Sequence, residues 1–167
     1  MEVLRLDSSH AEDYLKLRLE ALKTNPEAFG ASYEETASRE NPLKHIAARL
    51  DQRENYTFGA YIGDSLSGMV VLIPETAEKM KHKASIFGMY VSPEYRGNGI
   101  ARTLLEKALL QAGNLKSIEQ VNLTVVTTND SAKRLYSSIG FHSYGTEKRA
   151  IKYKGEYFDE EYMVLFL

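Results

Sequence analysis

Arg96-Gly97-Asn98-Gly99 is the part of this chain best suited to hold an anion. Two glycines one residue apart can take positive φ at no steric cost, so the backbone can turn tightly and bring its N–H groups close to a ligand. Directly after them Ile100, Leu104, Leu105, Ala108 and Leu109 recur at helical spacing. A helix that opens at such a turn leaves its first N–H groups without intrahelical partners and carries partial positive charge at that end. Phosphate or pyrophosphate is the natural occupant. Arg96 at the mouth, and Arg102 and Thr103 in the first turn, add charge and a hydroxyl. Taken alone, the same residues also suit an ordinary strand-to-helix connection. Two familiar phosphate loops do not fit. No Gly-Lys-Ser/Thr follows, as a nucleotide-hydrolase loop requires, and Arg102 stands where a dinucleotide G-x-G-x-x-G needs its third small residue.

A second polar run begins at Asn129-Asp130-Ser131, which offers helix N-cap chemistry. The helix after it carries Ala132, Leu135, Tyr136 and Ile139 on one side and ends at Gly140. Tyr136 brings a phenol which, with an ordinary pKa of about 10, is protonated at neutral pH and can give a hydrogen bond or a proton.

The elements that must position these two runs follow from periodicity. Strands are expected over residues 3–6, 57–62, 68–73, 86–91, 120–127, 141–153 and 157–167, and Pro93 ends the one before the glycine turn. Helices are expected over residues 9–24 and 42–52, after the glycine turn until Gly113-Asn114, and after Asn129. Residues 27–41 read as irregular or as a short helical piece, and residues 63–67 as a hairpin turn. The order is β-α-α-β-β-β-α-β-α-β-β, an α/β chain with a mixed sheet, read as a single domain over residues 1–167.

With its surroundings, the glycine run resembles the pyrophosphate loop of the GNAT family of N-acetyltransferases, Gln/Arg-x-x-Gly-x-Gly/Ala, which Arg96 to Ala101 matches at every specified position. The run Asn129 to Phe141 is similar to the family's Asn-x-x-Ala-x-x-Leu-Tyr-x-x-x-Gly-Phe. The order of elements is also that of the family, so the resemblance spans nearly the whole chain. It implies a mostly antiparallel central sheet flanked by helices, the acyl-CoA N-acyltransferase fold, with acetyl-CoA as acetyl donor. It further implies that Arg96, Gly97, Asn98, Gly99, Ile100, Ala101 and Arg102 hold the pyrophosphate, and that Asn129 reaches the pantetheine arm as well as capping its helix. Lys133 is placed near the coenzyme phosphates, or is simply a solvated helix lysine. Strand 86–91 is expected to splay from strand 120–127, so that backbone groups at Met89 and Val91 pair with the pantetheine amides. Acyl transfer from a thioester to an amine expels a thiolate, and Tyr136 is the expected general acid beside it.

Composition limits the other possibilities. A length of 167 residues, 43% hydrophobic and 26% charged, suits one soluble globular domain. A net charge of -2 gives no general attraction to nucleic acid or to an anionic membrane, so phosphate binding must be local. There is no cysteine, which excludes thiol catalysis and thiolate metal sites. His10, His45, His82 and His142 show no ligand spacing, so no metal is expected. The N-terminus lacks the apolar core of a signal peptide, and no run approaches membrane-spanning length; the chain reads as cytoplasmic.

The acceptor amine must lose a proton before it attacks, which calls for a base or a chain of water. Glu34 is the candidate base, with Glu35 beside it. Tyr33, Tyr61, Tyr90, Tyr153 and Tyr157 could line the acceptor pocket, and Asp159, Glu160 and Glu161 could attract a cation. A small amine, a peptide or protein α-amine and a lysine side chain all stay open as acceptors. A non-catalytic acetyl-CoA sensor or interaction module is the alternative. Monomer and homodimer are both compatible with the apolar terminal strand, which could lie in its own sheet or pair with a second copy.

Overall fold

A computed structural model describes residues 1–167. Its strands are β1 (Glu2–Arg5), β2 (Tyr56–Ile62), β3 (Ser65–Pro74), β4 (Lys83–Val91), β5 (Gln120–Val126), β6 (His142–Tyr153) and β7 (Glu156–Phe166). The helices are α1 (Ala11–Thr24), α2 (Tyr33–Ala37), α3 (Pro42–Leu50), α4 (Ile100–Asn114) and α5 (Asp130–Ile139). One seven-stranded sheet runs in the order β1-β2-β3-β4-β5-β7-β6. Every neighbouring pair is antiparallel except β4–β5, which is parallel. The terminal strand β7 therefore lies inside its own sheet.

Alternation along the strands sends side chains to two layers. On one face Val70, Leu72 and Ala84 meet Ile100, Leu104 and Leu105 of α4. On the other, Met69 and Tyr90 meet Tyr14, Leu17 and Ala21 of α1, with Leu50 of α3. Gly68 brings α4 down onto β3: a Cβ there would stand 2.9 Å from Leu104 Cδ1 and 3.1 Å from Ile100 Cγ2. The close approach seats the start of α4 beside the C-terminal end of β4.

The structure refines the sequence expectations at three places. Strand β3 begins at Ser65 rather than 68, after a two-residue turn, because Ser67 is buried in the ladder and donates its hydroxyl to the Ala60 carbonyl at 2.9 Å. A polar residue satisfied inside a sheet carries no strand signal of its own. Helix α4 ends at Asn114, within the expected Gly113-Asn114 pair. Both residues are helical, and Leu115 caps the end with extended backbone. The segment after α1 forms a true short helix, α2, set by a capping box in which Glu35 N donates to Ser32 Oγ and Ser32 N to Glu35, each at 3.1 Å.

Candidate functional site

The parallel ladder between β4 and β5 is brief. Lys83, Ala84 and Ser85 pair with Gln120, Val121 and Asn122, and there it ends. Beyond it β4 stays paired to β3, while β5 stays paired to β7 through Val126. The two strands therefore diverge, and one edge of residues 86–91 is left without a strand partner. A bulge sharpens the divergence: Gly88, at φ +58°, and Met89 together oppose Val70.

A cavity of about 690 Å³ fills the gap, lined by Met89, Tyr90 and Val91 on one side and Val126 and Thr128 on the other. Its mouth is the glycine turn. Gly97 and Gly99 adopt φ of +81° and +77°, and a Cβ on either would meet no protein atom within 4 Å. Both glycines thus open onto space that a ligand can enter. The backbone N–H groups of residues 97–102 donate to no protein acceptor; the ladder of α4 starts only at Thr103 N, which bonds the Gly99 carbonyl at 3.1 Å. This row of orphan donors lies at the positive end of a 15-residue helix. It is the arrangement that an oxyanion chain such as pyrophosphate satisfies.

The flanking side chains hold this frame. Arg96 Nε donates to the Val91 carbonyl and Nη2 to Asn25 Oδ1, both at 2.9 Å, which ties the turn back to β4 and to the end of α1. Asn98 lies outside the cavity wall and donates to the Tyr95 carbonyl at 3.1 Å, bracing the turn. Arg102 lines the cavity and reaches Ser138 Oγ at 2.6 Å, joining α4 to α5. Ile100 and Ala101 also form wall. Lys133 does not: its ammonium pairs with Glu161 at 2.9 Å.

Asn129 and Tyr136 line the same cavity from the cap and body of α5. Asn129 Oδ1 caps α5 by accepting from Ala132 N at 3.2 Å and Ser131 Oγ at 3.1 Å, and its amide nitrogen has no protein partner. Tyr136 is 6% exposed and sits edge-on to Phe141, with ring centroids 6.0 Å apart. Its hydroxyl makes no hydrogen bond within the protein, and burial pushes the phenol up to about 12. It is a neutral donor throughout the physiological range.

The candidate acceptor residues are dispersed. Glu34 stands outside the main cavity, on a second depression of about 370 Å³ between α1, α2 and the tip of the β6–β7 hairpin. Glu34 is the single carboxylate in that wall, whereas Glu35 is committed to its capping box. Tyr33 and Tyr153 line this depression and Tyr90 the main cavity. Tyr61 is bound to Asp13 at 2.9 Å, and Tyr157 lies beneath the cations of Arg149 and Lys152. Two of the three acidic hairpin residues are paired: Asp159 takes Lys148 Nζ and Arg149 N, each at 2.8 Å, and Glu161 takes Lys133 of α5, while Glu160 accepts only from Thr124 Oγ1 at 3.3 Å.

Phe29, which lines both cavities, and two residues that contact cavity-lining side chains were not candidates from the sequence. Glu20 accepts from Tyr90 Oη at 3.0 Å and from Ser92 Oγ, tying α1 to β4. Phe29 belongs to both cavities, and Arg18 packs its guanidinium carbon 4.6 Å from the Phe29 ring centroid. Single charges on a helix carry no motif, and none of the three gives a signal by spacing alone.

Residues 18–141 match the acetyltransferase (GNAT) family. Among characterised proteins the chain is similar to the L-amino acid N-acetyltransferase AaaT of Escherichia coli, 28% identical over 62% of this chain and 64% of that one. It is also similar to the spermidine N(1)-acetyltransferase of Vibrio cholerae, 25% identical over 73% of this chain and 67% of that one. The match thus spans somewhat under two thirds of AaaT. Among solved structures, yncA of Salmonella typhimurium, determined with its cofactor acetyl-CoA, shares the fold with a TM-score of 0.81 at 17% identity, covering 100% of this chain and 94% of that one. With the motifs, the splayed strands and this match over most of its length, the chain belongs to the GNAT family of acetyltransferases.

Proposed function

We propose that the protein is an acetyl-CoA-dependent N-acetyltransferase that moves an acetyl group to the primary amine of a small molecule or peptide by direct attack on the thioester. The observation that carries this reading is the row of unpartnered N–H groups at residues 97–102, opening onto a cavity that leads between β4 and β5 to the unpartnered hydroxyl of Tyr136. The residues fit the coenzyme: the glycine cradle has room that a Cβ would take, and its donors lack acceptors.

When bound, acetyl-CoA supplies an activated acetyl group and a thiolate leaving group. The N–H groups of residues 97–102 would hold the pyrophosphate, with Arg102 adding positive charge. The open edge of β4 at Met89 and Val91 and the free amide of Asn129 would orient the pantetheine arm. Tyr136 keeps its proton because burial disfavours phenolate, and it donates that proton or a hydrogen bond to the departing sulfur. On the acceptor side Glu34, free of caps and ion pairs, is the base that takes the ammonium proton. Lys133 would add charge at the phosphate end only by leaving Glu161. No helix is long and apolar enough to cross a membrane, and a cytoplasmic location is part of this reading.

Thiol release from acetyl-CoA against a panel of amino acids, polyamines and peptides tests the proposal. Release with one acceptor class supports it. Tight acetyl-CoA binding with no turnover on any amine would assign the site to sensing instead.

A further inference from the structure

Arg18 of α1 lines neither cavity but packs against Phe29, which lines both, and it has no counter-charge within the protein. Arg18 Nη1 is the single buried side-chain nitrogen or oxygen in the protein without a hydrogen-bond partner. A guanidinium stays protonated in proteins, and although Arg18 as a whole is only partly buried, leaving its Nη1 buried without an acceptor is unfavourable. Arginine at this place is therefore not explained by the free fold. The carboxylate nearest along α1, Glu20, already serves Tyr90 and Ser92. The other charged neighbour is Arg49, which repels Arg18 and gives its own hydrogen bond to Tyr14 Oη at 2.9 Å.

The position of the group is informative. Its carbon lies over Phe29, the residue common to both cavities, and Phe29 in turn sits edge-on to Tyr90 with centroids 6.5 Å apart. On the far side Nη1 approaches the β4 bulge, 3.9 Å from where a Gly88 Cβ would stand. The guanidinium thus reaches the strand that borders the donor cavity, behind a single aromatic ring. The adjoining depression adds Lys23 and Lys152 to its wall against one carboxylate, Glu34. On the β6–β7 hairpin Asp159 and Glu161 are paired with Lys148 and Lys133, and neither they nor the unpaired Glu160 lines this depression, while Glu27 lines only the main cavity.

We infer that Arg18 is the anchor for a carboxylate on the acceptor, so that the substrate class is a small amine bearing a carboxylate, of the amino-acid type, rather than a polyamine. This rests on the transferase reading given above. A carboxylate that entered past Phe29, with a shift of the Pro26–Ala28 turn that precedes it, would reach Nη1 and form a charge-assisted hydrogen bond. The amine at the other end of such an acceptor is left near the donor cavity and Glu34. A polyamine offers Arg18 nothing, and it would bring further positive charge beside Arg18, Lys23 and Lys152.

The test compares α-amino acids with their carboxamides and with the amines left on decarboxylation, in wild type and in Arg18→Gln. Thiol release should favour the amino acid over its carboxamide by about 10- to 100-fold in kcat/KM, the range of a charge-assisted hydrogen bond. In Arg18→Gln that preference should fall to about one, through KM, with acetyl-CoA affinity unchanged. Equal use of amino acid and carboxamide by wild type, or an equal loss on both in the variant, would overturn the inference. Calorimetry of the amino acid into the coenzyme A complex separates this from the transferase reading. Binding that Arg18→Gln abolishes, without thiol release from any amine, would overturn transfer and leave the carboxylate site standing. A stability measurement on Arg18→Met adds a second check. If the cation awaits a ligand, the free variant should melt no lower than wild type; a large drop in Tm would assign Arg18 to the fold and overturn the inference.

Discussion

Replacing Tyr136 with phenylalanine removes one oxygen atom from the cavity wall and nothing else. The ring is 6% exposed and its contact with Phe141 does not involve the hydroxyl, so packing should survive. No protein group loses a partner, because the hydroxyl has none. Stability should therefore stay within about 1 kcal/mol of wild type. The catalytic cost is different in kind. A hydrogen bond to a charged group contributes about 1.5–3 kcal/mol, and each 1.36 kcal/mol is about tenfold in rate. Tyr136→Phe should lower kcat by about 10- to 150-fold while the acetyl-CoA Kd moves less than about threefold, because charge develops on sulfur only as the thioester breaks. Thiol release measures the first quantity, and calorimetry with acetyl-CoA the second. Wild-type kcat in the variant would remove Tyr136 from the mechanism, and an equal loss in affinity would make it a binding residue. The same variant has a signature in stability. Burial raises the phenol from about 10 in the unfolded chain to about 12 in the fold. The folded state thus favours the proton, and that contribution is complete below pH 10 and is lost as pH rises through 12. Across this window wild type should lose stability relative to Tyr136→Phe by about 1.4 kcal/mol per pH unit, as read by urea unfolding. Parallel curves would contradict the buried, neutral phenol.

Glu34→Gln should lower kcat/KM by about tenfold or more, most strongly at low pH where the acceptor is most fully protonated; an unchanged pH–rate profile would assign proton removal to water or to another group. Lys133→Ala should change acetyl-CoA affinity less than about threefold, since its ammonium is held by Glu161. A loss of more than tenfold in a calorimetric titration would show that Lys133 turns to the phosphates when the coenzyme binds.

The proposed donor half of the site is legible in the sequence because it is made of backbone. Gly97 and Gly99 reach their positive φ without steric cost, and Asn129 caps α5 as a short polar residue, so the turn and the cap leave recognisable letters in the sequence. Gly88 likewise takes positive φ at the bulge, but one glycine inside an apolar strand is too common a pattern to be read. The splay was expected only through the family resemblance, since strand pairing between residues 83–85 and 120–122 depends on contacts far apart in the chain. The proposed acceptor half draws on scattered side chains of α1, the segment after it, α2 and the β6–β7 tip. Glu34 and Glu35 look alike in sequence, and only the capping geometry separates the committed carboxylate from the free one. Asp159 and Glu161 looked available for a cation, and their partners Lys148 and Lys133 come from a bulge and from another helix. Arg18 was invisible for the opposite reason, because it is defined by the partner it lacks.

The measurement that bears most directly on the donor site is calorimetric titration of acetyl-CoA into wild type, Gly99→Val and Gly155→Val. Gly99 and Gly155 both hold positive φ, +77° and +86°, and a Cβ on either meets no protein atom within 4 Å. Both substitutions therefore impose the same backbone strain, of about 1–3 kcal/mol, while only the first fills the anion cradle. Saturable binding of one acetyl-CoA per chain, lost in Gly99→Val and kept in Gly155→Val with both variants folded, is the expected result. Equal affinity in wild type and Gly99→Val would contradict the assignment of residues 96–102 as the pyrophosphate loop, and with it the acetyl-transfer reading.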